Sequence, residues 1–203
     1  MPRLRICWCL SYGDDEGGQW LLKGYKMTEL HIRDARTADY DAIRDVTLAA
    51  YQEYAAIMQV HWENYRQSIL ATLASVHPAE QIVAEQSGTL VGTVLLFPTG
   101  TALTAPDGAS VTLTWPEIRL LAVAPAARGH GIGAALVREC LHRARQSGAA
   151  AVTLHTTEMM RVAMQMYERM GFVHTPELDF HPVPEITIKG YLYRFDAGRL
   201  SPA

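Results

Sequence analysis

The sequence predicts an α/β chain of the α+β kind: a mixed, mostly antiparallel central sheet with helices on both faces. Three observations carry this. Apolar residues make up 49% and charged residues 19% of the 203 residues, an ordinary globular balance with chain enough for one real core. Apolar runs of strand length in the first half are separated by a turn signal, as in a hairpin. Residues 118–155 then read as strand, glycine-rich turn, amphipathic helix and strand, which implies a parallel crossover inside the sheet.

Residues 1–27 look unlike the rest. They are expected to form an N-terminal extension, explained by disorder or by an upstream start codon. One domain is expected over residues 28–198, with 199–203 as a tail. The apolar run at residues 6–10, after Arg3 and Arg5, is too short for a secretory signal and is soon interrupted by Asp14, Asp15 and Glu16. No run of transmembrane length exists, so a cytoplasmic protein without a membrane partner is expected. The net charge of −3 leaves no electrostatic footprint for nucleic acid. Cys7, Cys9 and Cys140 are too few for a disulfide framework, and no metal site is expected.

Residues 30–33 form the first candidate strand. Thr37 can cap a helix with Tyr40, Ile43, Val46 and Thr47 on one side, running to about Ala50. Residues 51–74 also read as helix, with Ile57, Val60, Ile69, Leu70 and Leu73 as buried candidates, stopped by His77-Pro78. Residues 81–86 and 89–97 read as an antiparallel hairpin around Ser87-Gly88. Residues 98–110, rich in Gly, Pro, Thr and Ala, read as a loop. Residues 111–114 extend a strand placed at 117–123. The helix at 131–147 carries a stripe of Ile132, Leu136, Cys140 and Ala144, with Val137 and Leu141 beside it. Cys140 is therefore expected to be buried and inert. A strand at 150–155, a helix at 160–170 ended by Gly171, a strand at 172–174, a proline-rich loop at 175–185 and a last strand at 186–195 complete the chain.

The turn Arg128-Gly129-His130-Gly131-Ile132-Gly133 stands where the long helix begins. Unpaired N–H groups and the positive end of the helix dipole suit an anion there. A P-loop requires Lys and Ser or Thr after the last glycine, but Ala134 and Ala135 follow Gly133. A dinucleotide fingerprint fits Gly129-x-Gly131-x-x-Ala134 by letter. Its first glycine should follow the strand almost at once, however, and here residues 124–128 intervene. That leaves Arg128-x-x-Gly131-x-Gly133.

At this point the chain resembles the GNAT superfamily of N-acetyltransferases. The resemblance is carried by EIRLLAVAPAARGHGIGAALV at 117–137 and YERMGF at 167–172, in the family's order and spacing, and it extends over about residues 28–195. It implies acetyl-CoA as co-substrate, without a metal. The glycines let the backbone approach a pyrophosphate closely, and Arg128 adds a planar donor fork. The resemblance thus assigns Arg128, Gly129, His130, Gly131, Ile132, Gly133 and Ala134 to the phosphates, and backbone groups of Leu121, Ala122 and Val123 to the pantetheine arm. The N–H of Val123 or its neighbour would polarise the thioester carbonyl.

Acetyl transfer needs a neutral amine. For a lysine-like amine with a reference pKa of ~10.4, freeing it at neutral pH costs about 4–5 kcal/mol. The resemblance makes Glu117 the candidate general base and Tyr167 the candidate acid for the departing thiolate. Relatives carry an Asn where this chain has Met160, and Thr156 and Thr157 are alternative hydroxyl donors. Tyr51, Glu53, Tyr54, Asp179, His181 and Tyr191 are candidates for the acceptor pocket. The reading is direct transfer to a small-molecule or peptide amine in a ternary complex, with a homodimer as the default assembly. The alternative is a non-catalytic acyl-CoA-binding or regulatory module on the same fold.

Overall fold

The computed structural model describes residues 29–75, 77–104, 110–183 and 186–195. The expected extension and tail lie outside them. The strands are β1 (Leu30–Asp34), β2 (Glu80–Gln86), β3 (Thr89–Phe97), β4 (Ala102–Thr104), β5 (Ser110–Thr112), β6 (Glu117–Val123), β7 (Ala151–Thr156), β8 (Val173–His174), β9 (Phe180–Val183) and β10 (Ile186–Arg194). The helices are α1 (Tyr40–Tyr51), α2 (Ala55–Met58), α3 (Trp62–Ala74), α4 (Ile132–Gln146) and α5 (Arg161–Arg169).

The main sheet runs β1-β2-β3-β6-β7-β10-β8, with β9 also paired to β10. Every pairing in it is antiparallel except β6 with β7. Ser87 and Gly88 both have positive φ, the backbone that a tight hairpin turn between β2 and β3 demands.

Strand alternation divides the core between the two faces. Val94, Leu96, Ile118, Val152 and Leu154 pack with Leu136, Val137, Cys140 and Tyr167 from α4 and α5. On the opposite side Ala122 packs with Ala50 and Tyr51 of α1 and Ile69 of α3. Cys140 is fully buried as expected, and burial raises its thiol pKa well above the ordinary value.

Four expectations are corrected. The helix read at 51–74 is broken: a 3₁₀ turn, the short α2 and a second 3₁₀ turn precede α3, and Gln59 adopts φ 45°. The break rotates the following residues, so Ile57 and Val60 stand 62% and 83% exposed while Ile69 is buried. The loop at 98–110 contains β4, which pairs with β5 in a separate ribbon, so residues 111–112 do not extend β6. The loop at 175–185 contains a 3₁₀ turn at Pro176–Leu178 and β9. Alternation was invisible in both loops because their strands are short and carry polar and proline residues. Finally, Asp39 rather than Thr37 precedes α1. Its carboxylate accepts from the Arg36 N–H, and Arg33 beside it lowers its pKa to about 2.

Candidate active site

The site is built around a break in the sheet. Thr93 pairs with Ala122 and Leu95 with Arg119, so Leu120 and Leu121 together oppose the single residue Val94. This is a β-bulge, and Leu120 takes φ 48° to make it. Such a backbone costs a non-glycine residue about 1–2 kcal/mol. The bulge turns β6 away from β7: their parallel ladder holds at Glu117–Thr153 and Ile118–Leu154 and is not continued. Beyond it lies a split between two strands that still pair on their outer edges.

Backbone alternation decides which groups line that split. Ala124 donates its N–H to Val91 O, so groups of the same parity, Ala122 among them, turn toward β3. Leu121 and Val123 face the other way. Their carbonyls accept from the Tyr51 hydroxyl at 3.3 Å and from Arg128 Nε at 3.4 Å. Of the three residues expected to hold the pantetheine arm, Leu121 and Val123 are thus turned to the split and Ala122 is held in the ladder.

At the C-terminal end of β6 the chain enters the glycine turn. Gly129 and Gly131 have φ of 80° and 77°, a conformation that side chains rarely adopt, and both are exposed. Ala135 donates to Gly131 O, the first bond of α4. The N–H groups of Ile132, Gly133 and Ala134 therefore precede the helical ladder and point out of its start. Ile132 itself is a core side chain, so only its amide can serve an anion. A Cβ on Gly133 would meet Met166 Sδ at 3.5 Å and Val123 Cγ2 at 3.7 Å, so this glycine sits over the inner end of the split. His130 Nδ1 lies 3.3 Å from Ala127 O.

Arg128 departs from expectation. Its fork is turned away from the helix start toward α1: Nη1 donates to Glu53 Oε2 at 2.7 Å and Nη2 to Ala50 O at 2.9 Å. This ties the end of α1 to the turn and leaves the exposed amides as the turn's anion-facing donors. Replacing Arg128 with Ala should therefore loosen this tie and lower coenzyme A affinity by no more than about five-fold, since half-exposed ion pairs contribute about 0.2–1 kcal/mol. Calorimetry would show this, and a loss beyond a hundred-fold would mean that the guanidinium turns back to the phosphates.

Tyr167 on α5 is buried with its ring edge-on to Phe172. Burial raises its pKa, with the nearby Cys140, Tyr54 and Tyr65 adding to the effect, so its hydroxyl stays protonated through the neutral range. Tyr51, Tyr54, Trp62 and Tyr65 form an edge-to-face aromatic group on the α1–α3 side. Burial, with a hydrogen bond to Glu53, pushes Tyr54 up to about 12.

Glu117 is only 3% exposed. One carboxylate oxygen takes Arg119 Nε at 3.0 Å and the other faces His155 Nδ1 at 3.4 Å. His155 Nε2 lies 3.1 Å from Leu178 O, and its ring stands edge-on to Phe180. Arg119 and His155 were missed by sequence reasoning. Their signal is the alternation Glu117-x-Arg119 beside Thr153-x-His155, which becomes legible only once the β6–β7 register is known. Of the expected acceptor-pocket residues, Tyr51, Glu53 and Tyr54 gather beside the split. Asp179 is instead spent on Gly190 N–H and His174, Tyr191 sits in the α4-side core with its hydroxyl on Glu168, and His181 is exposed.

Two hydroxyls complete the site. Thr156 Oγ1 and Thr157 Oγ1 are buried with no hydrogen-bond partner, at the end of β7 beyond the last rung of its ladder with β6. A split strand pair, an amide-lined turn and two unpaired hydroxyls suit a ligand with an anionic end and an amide-bearing arm. Among the described residues, no group of three or more His, Cys, Asp or Glu is placed to hold a metal ion, and no helix is long and apolar enough to cross a membrane.

Comparison with known proteins agrees with this geometry. Residues 44–172 match the family described as the acetyltransferase (GNAT) family. The uncharacterized N-acetyltransferase YhfO of Bacillus subtilis is 29% identical over 152 residues, covering 70% of this chain and 89% of that protein. A mycothiol acetyltransferase of Thermomonospora curvata is 34% identical over 83 residues, 37% of this chain; the match spans only 28% of that enzyme's length. Among solved structures, a GNAT family acetyltransferase from Brucella melitensis in complex with acetyl-CoA superposes with a TM-score of 0.51. It is 27% identical, with 79% of this chain and 87% of that chain covered.

Proposed function

The chain belongs to the GNAT acetyltransferase family, and from that premise we propose that it transfers the acetyl group of acetyl-CoA to an amine by direct attack in a ternary complex. The observation that carries the reading is the split between β6 and β7, which opens directly beside the glycine turn. The Brucella relative holding acetyl-CoA on the same fold supports the choice of donor.

In this reading the amides at the start of α4 hold the pyrophosphate, and the inward-facing groups of Leu121 and Val123 orient the arm. The Val123 N–H stands where it can donate to the thioester carbonyl as negative charge develops there. The free amine attacks the carbonyl carbon, the amide C–N bond forms as the C–S bond breaks, the sulfur leaves as a thiolate, and the nitrogen gives up its extra proton to solvent. Tyr167, kept protonated by burial, donates to that sulfur. Glu117 has both oxygens engaged, so it is a positioning residue that holds Arg119 and His155. The acceptor is a small-molecule or peptide amine that enters in its neutral form.

The test is release of free thiol from acetyl-CoA with a panel of amines. Amine-dependent release is expected. Coenzyme A binding without release from any amine would instead favour a non-catalytic binding module. Tyr167→Phe should lower kcat about a hundred-fold with the KM for acetyl-CoA little changed, and an unchanged kcat would remove Tyr167 as the acid.

A further inference from the structure

Arg119 uses only part of its binding capacity. Its Nε lies 3.0 Å from Glu117 Oε1. Among the described residues neither Nη1 nor Nη2 has a hydrogen-bond partner, and the side chain is 38% exposed. The guanidinium carbon stands 5.8 Å from the centre of the Phe97 ring, which backs one face of the fork. Two other partly buried arginines of this chain show what such a fork holds when it is full. Arg33 takes Glu85 at Nε and Asp39 at Nη1. Arg143 takes Glu139 at Nε, with Asp34 and Glu80 at Nη1. Each holds one carboxylate at Nε and another at an Nη nitrogen. Arg119 has the first and presents its outer edge for the second.

The position of that edge says what would bring the second carboxylate. Ile118 packs toward α4, so Glu117 and Arg119 on either side of it turn to the α1–α3 face. There the Arg119 charge acts on Tyr65 of α3 and partly offsets the rise that burial gives its hydroxyl pKa. Arg119 is also the first residue of β6 past its last rung with β7, and it directly precedes the bulge. Val123, whose N–H meets the thioester carbonyl in the reading above, lies four residues on, one of them taken up by the bulge. At ~3.3 Å per residue, Arg119 and the reacting carbonyl are about 10 Å apart along the strand. Leu120, between them, packs with the Tyr51 group on one side and with Leu95 and Phe97 on the other, so the intervening ground is apolar.

We propose that the acceptor is an amine carrying a carboxylate at the far end of an apolar spacer, and that the outer edge of Arg119 binds that carboxylate while the amine meets the thioester. This deepens the acetyl-transfer reading above and rests on it. The planar edge matches the two oxygens of a carboxylate. An α-amino acid, whose two groups share one carbon, is too short to engage both ends. Arg119 is thus a specificity determinant that touches the acceptor away from the reacting atoms.

The experiment measures thiol release from acetyl-CoA by the full chain with glycine, γ-aminobutyrate, ε-aminocaproate and ω-aminocaprylate. Each is set against the alkylamine of equal carbon number, with rates expressed per neutral amine. The better of the two longest amino acids should exceed its alkylamine about ten- to hundred-fold in kcat/KM, and glycine should show no gain over ethylamine. Arg119→Gln should bring the ratio close to unity. Arg119→Lys, which keeps a charge without the planar edge, should leave it in between. Each ratio is taken within one protein, so any loss of folded fraction cancels. The double variant Glu117→Gln/Arg119→Gln should show the same collapse, with no unpaired Glu117 left to repel the acceptor. A wild-type ratio near unity at every length, or a ratio that survives Arg119→Gln, would overturn the inference and leave acetyl transfer standing. Thiol release with no amine at all would overturn both.

Discussion

Gly190→Ala should destabilise the protein by about 3 kcal/mol or more, lowering its melting temperature by roughly 6–12 °C, at the top of what overpacking costs. Gly190 lies buried in β10 opposite His155. A Cβ there would fall 2.2 Å from Leu178 Cβ and 2.9 Å from both the carbonyl carbon and oxygen of Leu178. No rotamer relieves that, since two of the three atoms are backbone and the third is the first atom of its side chain. The loop cannot easily retreat either. Thr175 N–H donates to Gly190 O at 2.9 Å, and Gly190 N–H donates to Asp179 Oδ1 at 2.8 Å.

The damage should reach the site, because Leu178 O is the partner of His155 Nε2. Gly133→Ala is the contrasting change. Its Cβ would meet nothing nearer than a flexible methionine sulfur at 3.5 Å, and alanine favours helix by about 1 kcal/mol. Thermal melting of both variants checks the pair: a Gly190→Ala protein within a degree or two of wild type would show that residues 175–179 are free to move.

The contrast shows why some of this fold is legible in sequence and some is not. Gly129 and Gly131 announce themselves because glycine at a helix start following an apolar strand has few other uses. Gly190 reads as an ordinary strand glycine, since the backbone that crowds it arrives from a proline-rich loop whose path no periodicity encodes. The long helix α4 was readable from its stripe. Its N-terminal boundary followed from Gly131, and the strands on either side from their apolar runs.

The segment between α1 and α3 was misread for the opposite reason. Ile57 and Val60 keep the helical spacing of a buried face, but the 3₁₀ turns on either side of α2 and the positive φ of Gln59 break the helix, and both stand exposed. The pantetheine role of Leu121 and Val123 came from the resemblance, and the split they face shows only in the structure. Leu120 gives no local sign of the positive φ that opens it, because leucine is among the residues least suited to that backbone. The hydroxyls of Thr156 and Thr157 were candidates from the resemblance, but their burial without partners shows only in the structure.

The same distinction decides what Glu117 does. A carboxylate at the head of β6 was expected to be the base, but the structure buries it between Arg119 and His155. Glu117→Ala would leave Arg119 and His155 facing an apolar gap between β6 and β7. Breaking a buried pair costs about 3–5 kcal/mol, and the partial exposure of Arg119 and His155 discounts this to about 2–3 kcal/mol. The alanine variant should therefore lose activity by losing stability, with a melting temperature roughly 4–12 °C lower. Glu117→Gln separates structure from chemistry. The amide oxygen can still accept from Arg119, and the amide nitrogen can donate to His155 Nδ1, so the packing is kept while the charge is lost.

If Glu117 is a positioning residue, the glutamine variant should melt near wild type and keep kcat/KM within about ten-fold. The wild-type kcat/KM should then climb close to ten-fold per pH unit below the pKa of the amine, because the neutral acceptor is supplied by solution. A base would give the opposite pair of results. The glutamine variant would fall by a hundred-fold or more at an unchanged melting temperature, and the wild-type profile would level off well below the amine's own pKa.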